Sequence, residues 1–386
     1  MEEGLHGLVD GHRLVVACGA GGVGKTTIAA AVGAAAAARS PRRVLVLTVD
    51  PARRLASALG MRQLGNVEVR VPAARFTEAG RSAAAAGELW VAMLDTKQSW
   101  DDLVRRHAPD ARTRDAILAN PLYRNLTAKF VASHDYIAAE RLHELDTEGR
   151  YDLVVVDTPP SRNAVDFLDA PARMAEFFSS RLLRWLIAPY RSRLVTAASK
   201  PFFHVADRVL GAQFLADIAE FFILFRTMYD GFVERSRAVE RTLHDRGTSF
   251  LLVSTLEAAP AREAELFAAA LAERRYRLGG VVLNRTLPEG LTTSAAAASA
   301  ATLRQGAPSL GQALAADVGA DAEDVARVLR EVADGFANLA ASAADQERRA
   351  ARLEALRPEA LARAPVLDRD LTDLAGLLAL ADLLGA

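Results

Sequence analysis

The chain is expected to fold as an α/β protein: a mostly parallel sheet with helices on both faces, extended by a helical subdomain. Three observations carry that expectation. Short, almost wholly apolar runs recur, as in Val44-Leu45-Val46-Leu47-Thr48-Val49 and Leu153-Val154-Val155-Val156. Such runs mark strands that are buried on both faces. Alanine-rich or helix-periodic stretches separate them, and strand–helix alternation builds parallel sheets. With 386 residues, 51% of them hydrophobic, the chain can also bury a sizeable core.

Taken in order, Leu14-Val15-Val16-Ala17 is the first strand, and it ends in glycines followed by an alanine-rich helix from Ile28 to Arg39. The run from Val44 to Val49 is the second strand and stops at Asp50-Pro51; Val67–Val71 and Leu89–Leu94 are two more. From Ser99 to about Glu148 the pattern turns helical, with Leu103, Val104 and His107, then Ile137, Arg141, Leu142 and Leu145, at helix spacing. Leu153–Val156 is a strand that again stops at an acid, Asp157. Ala172 to about Asp245 is helical, with breaks at Pro189 and Pro201. Phe250–Ser254 and Val281–Leu283 close the strand inventory, and Ala322–Leu356 is one or two helices. The tracts Ala83–Ala86 and Ala295–Ala298 read as low complexity, the second in a flexible loop after Leu291, or else as short helix-forming tracts. There is no internal repeat and no dividing linker. Residues 1–386 are therefore expected to form one domain, with helical subdomain segments at about 99–148 and 172–245.

Composition narrows the function. With 47 Lys+Arg against 48 Asp+Glu the net charge is -1, which argues against a dedicated nucleic-acid binder. The lone Cys18 allows neither an internal disulfide nor a cysteine-pair zinc site, and the seven histidines form no HExxH pair. No apolar run is long enough to span a membrane, the best candidate, Phe214–Phe225, being broken by Asp217 and Glu220. The amino terminus has acids where a secretory signal has a basic region. A cytoplasmic location follows as the expectation.

Gly19-Ala20-Gly21-Gly22-Val23-Gly24-Lys25-Thr26-Thr27 matches GxxxxGK[ST] and lies between a buried strand and a helix. Glycines let backbone N–H groups converge on phosphate oxygens, and the helix N-terminus adds its positive end. Lys25 is placed to reach the β- and γ-phosphates of a nucleotide, and the Thr26 hydroxyl to complete a Mg²⁺ shell. Asp50 and Asp157 each follow a strand. In a parallel sheet, ligands gather at the carboxyl ends of strands. Asp157 then reads as the acid that holds Mg²⁺ through water, and Asp50 as the group that orients or deprotonates the attacking water. Taken singly, either acid would also serve as a helix cap or turn residue.

This combination resembles the arsenite-pump and tail-anchored-protein-targeting ATPases, the ArsA-like branch of deviant-Walker P-loop proteins. The resemblance rests on Gly21-Gly22-Val23-Gly24-Lys25-Thr26-Thr27, on Asp50-Pro51-Ala52 at the switch I position and on Asp157-Thr158-Pro159-Pro160 at switch II. Two later landmarks extend it, so that it runs from Gly19 to Asp368. Asn284 in Val281-Val282-Leu283-Asn284-Arg285 looks like the family's adenine-recognising residue, and Pro365-Val366-Leu367-Asp368 like the loop beside the base. The excess of Arg and Ala is what GC-rich codon usage, such as that of actinobacteria, produces. The resemblance implies a dimer whose P-loop faces meet across two nucleotides, and a helical subdomain that carries a client or regulatory surface. Phe214, Leu215, Ile218, Phe221, Phe222 and Phe225 share a helix face there; core packing explains that face more simply than a groove for a membrane-protein client.

The departures are as informative. Where deviant-Walker proteins carry a signature lysine after the first loop glycine, this chain has Ala20. Arg53-Arg54 stand where targeting members tend to have His-Asn, and either is a candidate substitute cation or part of a solvated helix start. Switch II continues Pro160-Ser161-Arg162-Asn163 rather than as a Thr-Gly-His run. The zinc-clasp CxxC and the arsenite-binding cysteines are both missing, so neither zinc nor arsenite transport is expected. Two readings remain: a slow ATPase driving a partner or client as a homodimer, or an ATP-binding subunit paired with a lysine-bearing paralogue. A partitioning or septum-positioning ATPase is disfavoured, because the end from Leu377 to Ala386 has no basic face.

Overall fold

The computed structural model describes residues 2–49, 55–56, 59, 61, 64–81, 87–129, 131–158, 169–170, 172–173, 176, 220–225, 227–368 and 370–386. Among them, nine strands form one sheet: β1 (Glu2–Glu3), β2 (Leu14–Cys18), β3 (Arg43–Thr48), β4 (Val69–Arg70), β5 (Glu88–Met93), β6 (Leu153–Asp157), β7 (Thr248–Thr255), β8 (Leu278–Thr286) and β9 (Ala360–Pro365). Their spatial order is β1-β9-β8-β7-β2-β6-β3-β5-β4, parallel throughout except where β4 runs against β5. The expected mostly parallel architecture is the one observed.

The central strand shows why the sequence settles this way. Every residue of β2 is buried, because its side chains alternate between two cores. Leu14, Val16 and Cys18 enter one core, Val15 and Ala17 the other. Against the second face pack α1 (His6–Gly11), α2 (Lys25–Arg39), α3 (Ala73–Glu78) and α12 (Leu374–Leu383), through Leu8, Ile28, Phe76 and Leu377. Alanine is the best helix former and the smallest side chain that packs, so α2 is buried along Ile28–Ala37 between the sheet and α12.

On the other face lie α4 (Thr96–His107), α5 (Ala111–Ala119), α6 (Pro121–Lys129), α7 (Val131–Glu148), α8 (Tyr229–His244) and α9 (Ala258–Glu273). The first four are the expected segment 99–148, punctuated by Asp95 and Asp110, whose side chains cap α4 and α5. Glu140 on α7 is buried and ion-paired to Arg235 on α8 at 2.8 Å, and Tyr136 donates to it. Burial raises the Glu140 pKa, and the Arg235 charge pulls it back. Phe221, Phe222 and Phe225 are buried in the same core, as simple packing requires; Phe214, Leu215 and Ile218 lie outside the described residues.

Two sequence expectations need correction, and two that the sequence left open are decided. The strand inventory does not end at Leu283, because β1 and β9 extend the sheet beyond β8. In β9 the small side chains of Ala360, Ala362 and Ala364 fill the core, while Arg363 on the opposite face pairs with Glu347 and Glu354 at 2.8 Å. The strand at Val67–Val71 shrinks to the exposed, antiparallel Val69–Arg70. Of the two readings of Ala295–Ala298 the helical one holds: the tract opens α10 (Ser294–Val318), capped by Thr293. The long segment from Ala322 is one helix, α11 (Ala322–Glu354), folded back on α10 after Gly319. No helix among the described residues is long and apolar enough to cross a membrane.

Candidate functional site

The candidate site is the turn between β2 and α2, at the carboxyl edge of the parallel sheet, together with the ends of β3, β6, β8 and β9. The turn can form only with its glycines. Gly19 and Gly24 have φ of +147° and +96°, a region that side chains strongly disfavour. A Cβ on Gly19 would stand 2.0 Å from the Val253 carbonyl oxygen of β7, so the loop lies directly on the sheet's backbone. Val23 is buried and anchors the turn in the core, whereas Gly21 and Gly22 face outward.

Gly24 is the N-cap of α2, and no side chain caps that helix end. A helix N-terminus without a capping side chain, under a loop of converging N–H groups, is an anion cradle. The buried Lys25 ammonium donates to the Gly19 and Ala20 carbonyls at 3.0 and 2.8 Å, which holds it across the mouth of its own loop. Beneath it, burial pushes the Cys18 thiol well up, with the Lys25 charge as a smaller opposing influence. That thiol donates to the Leu251 carbonyl at 3.5 Å.

Asp157 ends β6 and is fully buried. Its Oδ2 accepts from the Thr26 hydroxyl at 2.6 Å and from the Thr48 hydroxyl, at the end of β3, at 2.8 Å. The sequence therefore brings together the two groups expected to hold Mg²⁺, and hard oxygen donors of this kind suit that ion. Thr48 was not anticipated, although a hydroxyl closing an otherwise aliphatic strand was a visible signal. Thr158 was also missed as a structural group; its N–H and hydroxyl both bond the Ala17 carbonyl, tying β6 to β2 below the loop. Asp50, Pro51, Ala52, Arg53 and Arg54 lie outside the described residues, as do Pro159–Asn163. The preceding residue, Val49, donates its N–H to the Asp157 carbonyl at 3.1 Å, so β3 delivers the chain to this same edge.

Asn284 and Pro365–Asp368 also meet here. Asn284 pairs in register with Thr255 on one side and Ala364 on the other. Pro365 pairs with Thr286, and the Val366 N–H donates to the Thr286 carbonyl at 3.0 Å. Val366, Leu367 and Asp368 are exposed where the chain leaves β9, the strand beside that of Asn284. Asn284 also reaches the phosphate loop itself, donating from Nδ2 to the Val23 carbonyl at 2.7 Å. Ala20, next to Gly19 at the mouth of the loop, is 8% exposed and packs with the second core.

Comparison with known proteins agrees with this geometry. Residues 12–305 match the family model described as anion-transporting ATPase. The chain is also 31% identical over 278 residues to an uncharacterized protein of Streptomyces coelicolor, an alignment covering 72% of this chain. The chain spans 63% of the length of that curated relative.

Proposed function

The chain belongs to the anion-transporting ATPase family, the ArsA type; from that premise we propose that it is an ATP-binding ATPase, a Mg²⁺- and ATP-dependent dimeric switch acting on a protein partner. The observation that supports this reading best is the Thr26–Asp157 contact at 2.6 Å beneath the glycine turn, because it joins the phosphate loop to the strand-end acid.

In this reading Lys25 exchanges its loop carbonyls for the β- and γ-phosphates, and the Gly21–Thr27 backbone supplies the remaining donors. Mg²⁺ would supply neutralisation of phosphate charge when bound. Thr26 and Asp157 would hold it, and Thr48 keeps the Asp157 carboxylate turned toward Thr26. Asp50, which follows the end of β3, takes a proton from the attacking water or orients it. Asn284 and Pro365–Asp368 receive the adenine. Residues 1–386 act as one unit in the cytoplasm. The helical segments at about 99–148 and 172–245 carry the partner or membrane-protein client; neither nucleic acid nor zinc enters the scheme.

Ala20 favours a second reading, a heterodimer in which this chain does little hydrolysis alone. Trans-acting cations of the arginine-finger kind accelerate phosphoryl transfer by roughly 10³–10⁵, and Ala20 supplies none to a partner's site. A lysine-bearing paralogue can still complete this chain's site, while its own site receives nothing in return. Weak turnover by the isolated chain is then expected, with stimulation on mixing. Ala20→Lys should raise the rate at the partner's site, separable by disabling each P-loop lysine in turn. If the isolated chain is as fast as the mixture, the division of labour is wrong, and Arg53 and Arg54 become the first substitute cations to test.

A further inference from the structure

Asn284 touches the phosphate loop as well as the expected base site, and the details of that touch assign it a second task. Its side-chain amide is fixed in one orientation by its partners. Oδ1 accepts the Arg285 N–H at 3.0 Å and Nδ2 donates to the Val23 carbonyl at 2.7 Å, so a flipped amide would face a donor with a donor. Arg285 itself has φ of +56°, a conformation uncommon for a residue with a side chain, and it turns its N–H back onto Asn284. The contact is close: a Cβ on Gly24 would stand 2.4 Å from Asn284 Nδ2. Asn284 therefore rests on the very turn that starts α2.

A peptide unit is planar and trans, so its C=O and N–H point in opposite directions. Holding the Val23 carbonyl outward toward β8 therefore aims the Gly24 N–H the other way, toward the inside of the loop. Nothing in the loop's own covalent structure imposes this, since a glycine at residue 24 leaves the peptide free to rotate. The opposite flank of the loop is held differently, by Lys25 on the Gly19 and Ala20 carbonyls and by the close approach of Gly19 to Val253. Lys25 is expected to leave those carbonyls when phosphate binds. The Asn284 hydrogen bond to the loop is independent of that exchange and can remain.

We propose that Asn284 is a positioning residue of the phosphate cradle: by holding the Val23 carbonyl it aims the Gly24 N–H at bound phosphate, whatever the base. The proposal rests on the reading of this loop as the nucleotide site and goes beyond base recognition. It makes the end of β8 a physical link between the base and phosphate halves of the site.

The test compares Mg·ATP with magnesium tripolyphosphate, which has phosphates but no base, by calorimetry on the full chain. Asn284→Ala removes the amide, and Asn284→Leu removes it at nearly constant volume, guarding against a variant that merely fails to pack. Each is expected to weaken both ligands by a similar factor, about tenfold. If the variants weaken Mg·ATP alone, Asn284 serves only the base and the proposal is overturned. Wild-type chain that binds Mg·ATP but not tripolyphosphate overturns it too. Wild-type chain that binds neither ligand removes the nucleotide reading itself, a distinguishable result. Isotope-labelled glycine spectra of the wild-type chain need no variant: the Gly24 amide signal should move on adding tripolyphosphate, and an unmoved signal counts against the proposal.

Discussion

Asp157→Asn is expected to lower ATP turnover by about two to three orders of magnitude and to raise the Mg²⁺ concentration needed for half-maximal activity. The substitution is chosen to isolate charge. Asp157 is fully buried, and both Thr26 and Thr48 donate into its Oδ2. An asparagine carbonyl can still accept those bonds, so the hydroxyls keep a partner and the fold keeps its packing. What disappears is the negative charge that would hold the ion and its water. Asp157→Ala is a different experiment, since it leaves two buried or half-buried hydroxyls without their acceptor and costs about 1–3 kcal/mol per unsatisfied group. Thermal melting should therefore separate the variants, with Asn near wild type and Ala clearly lower. Wild-type turnover and Mg²⁺ dependence in Asp157→Asn would show that the acid is structural only.

The second large effect concerns Asp50. Asp50→Asn should reduce turnover by about 10²–10⁴ while leaving the affinity for Mg·ATP nearly unchanged, the pattern of a group that acts on the transition state rather than on the bound substrate. The described residues up to Val49 lead to this edge of the sheet. Residues Val44–Thr48 pair with β6 up to Asp157, and the Val49 N–H bonds the Asp157 carbonyl. Asp50 is the next residue in the sequence. Single-turnover hydrolysis with saturating enzyme separates chemistry from binding, and retained turnover would move the water-handling role to another residue.

Much of this organisation is legible in the sequence. The aliphatic runs at Leu14, Val44, Leu153 and Phe250 became the sheet's buried centre, β2, β3, β6 and β7, because a strand covered on both faces has to be apolar throughout. The glycine loop was legible because its chemistry tolerates few substitutes. The misses share one cause: they depend on partners distant in sequence. Ala360–Pro365 has the composition of a helix or a loop, yet pairing with β8 and the ion pairs of Arg363 make it a strand. Ala295–Ala298 could be helix or coil by composition, and continuity with a long helix packed on α11 decides it. Asn284 could be placed at a strand end, but its reach to Val23 arises only because β7 alone separates β8 from β2.

The claim on which all of this depends is that the turn from Gly19 to Thr27 binds nucleotide phosphate, and titrating Mg·ATP into the full chain and into Lys25→Ala tests it most directly. Lys25 is buried and lies across the loop, bonded to the Gly19 and Ala20 carbonyls. Its removal takes away the loop's one side-chain cation and leaves the backbone donors as the protein's contribution there. Saturable binding by the wild-type chain is expected, weakened by at least tenfold in the variant, or about 1.4 kcal/mol. Equal affinities in the two chains, or no binding by the wild-type chain, would contradict it.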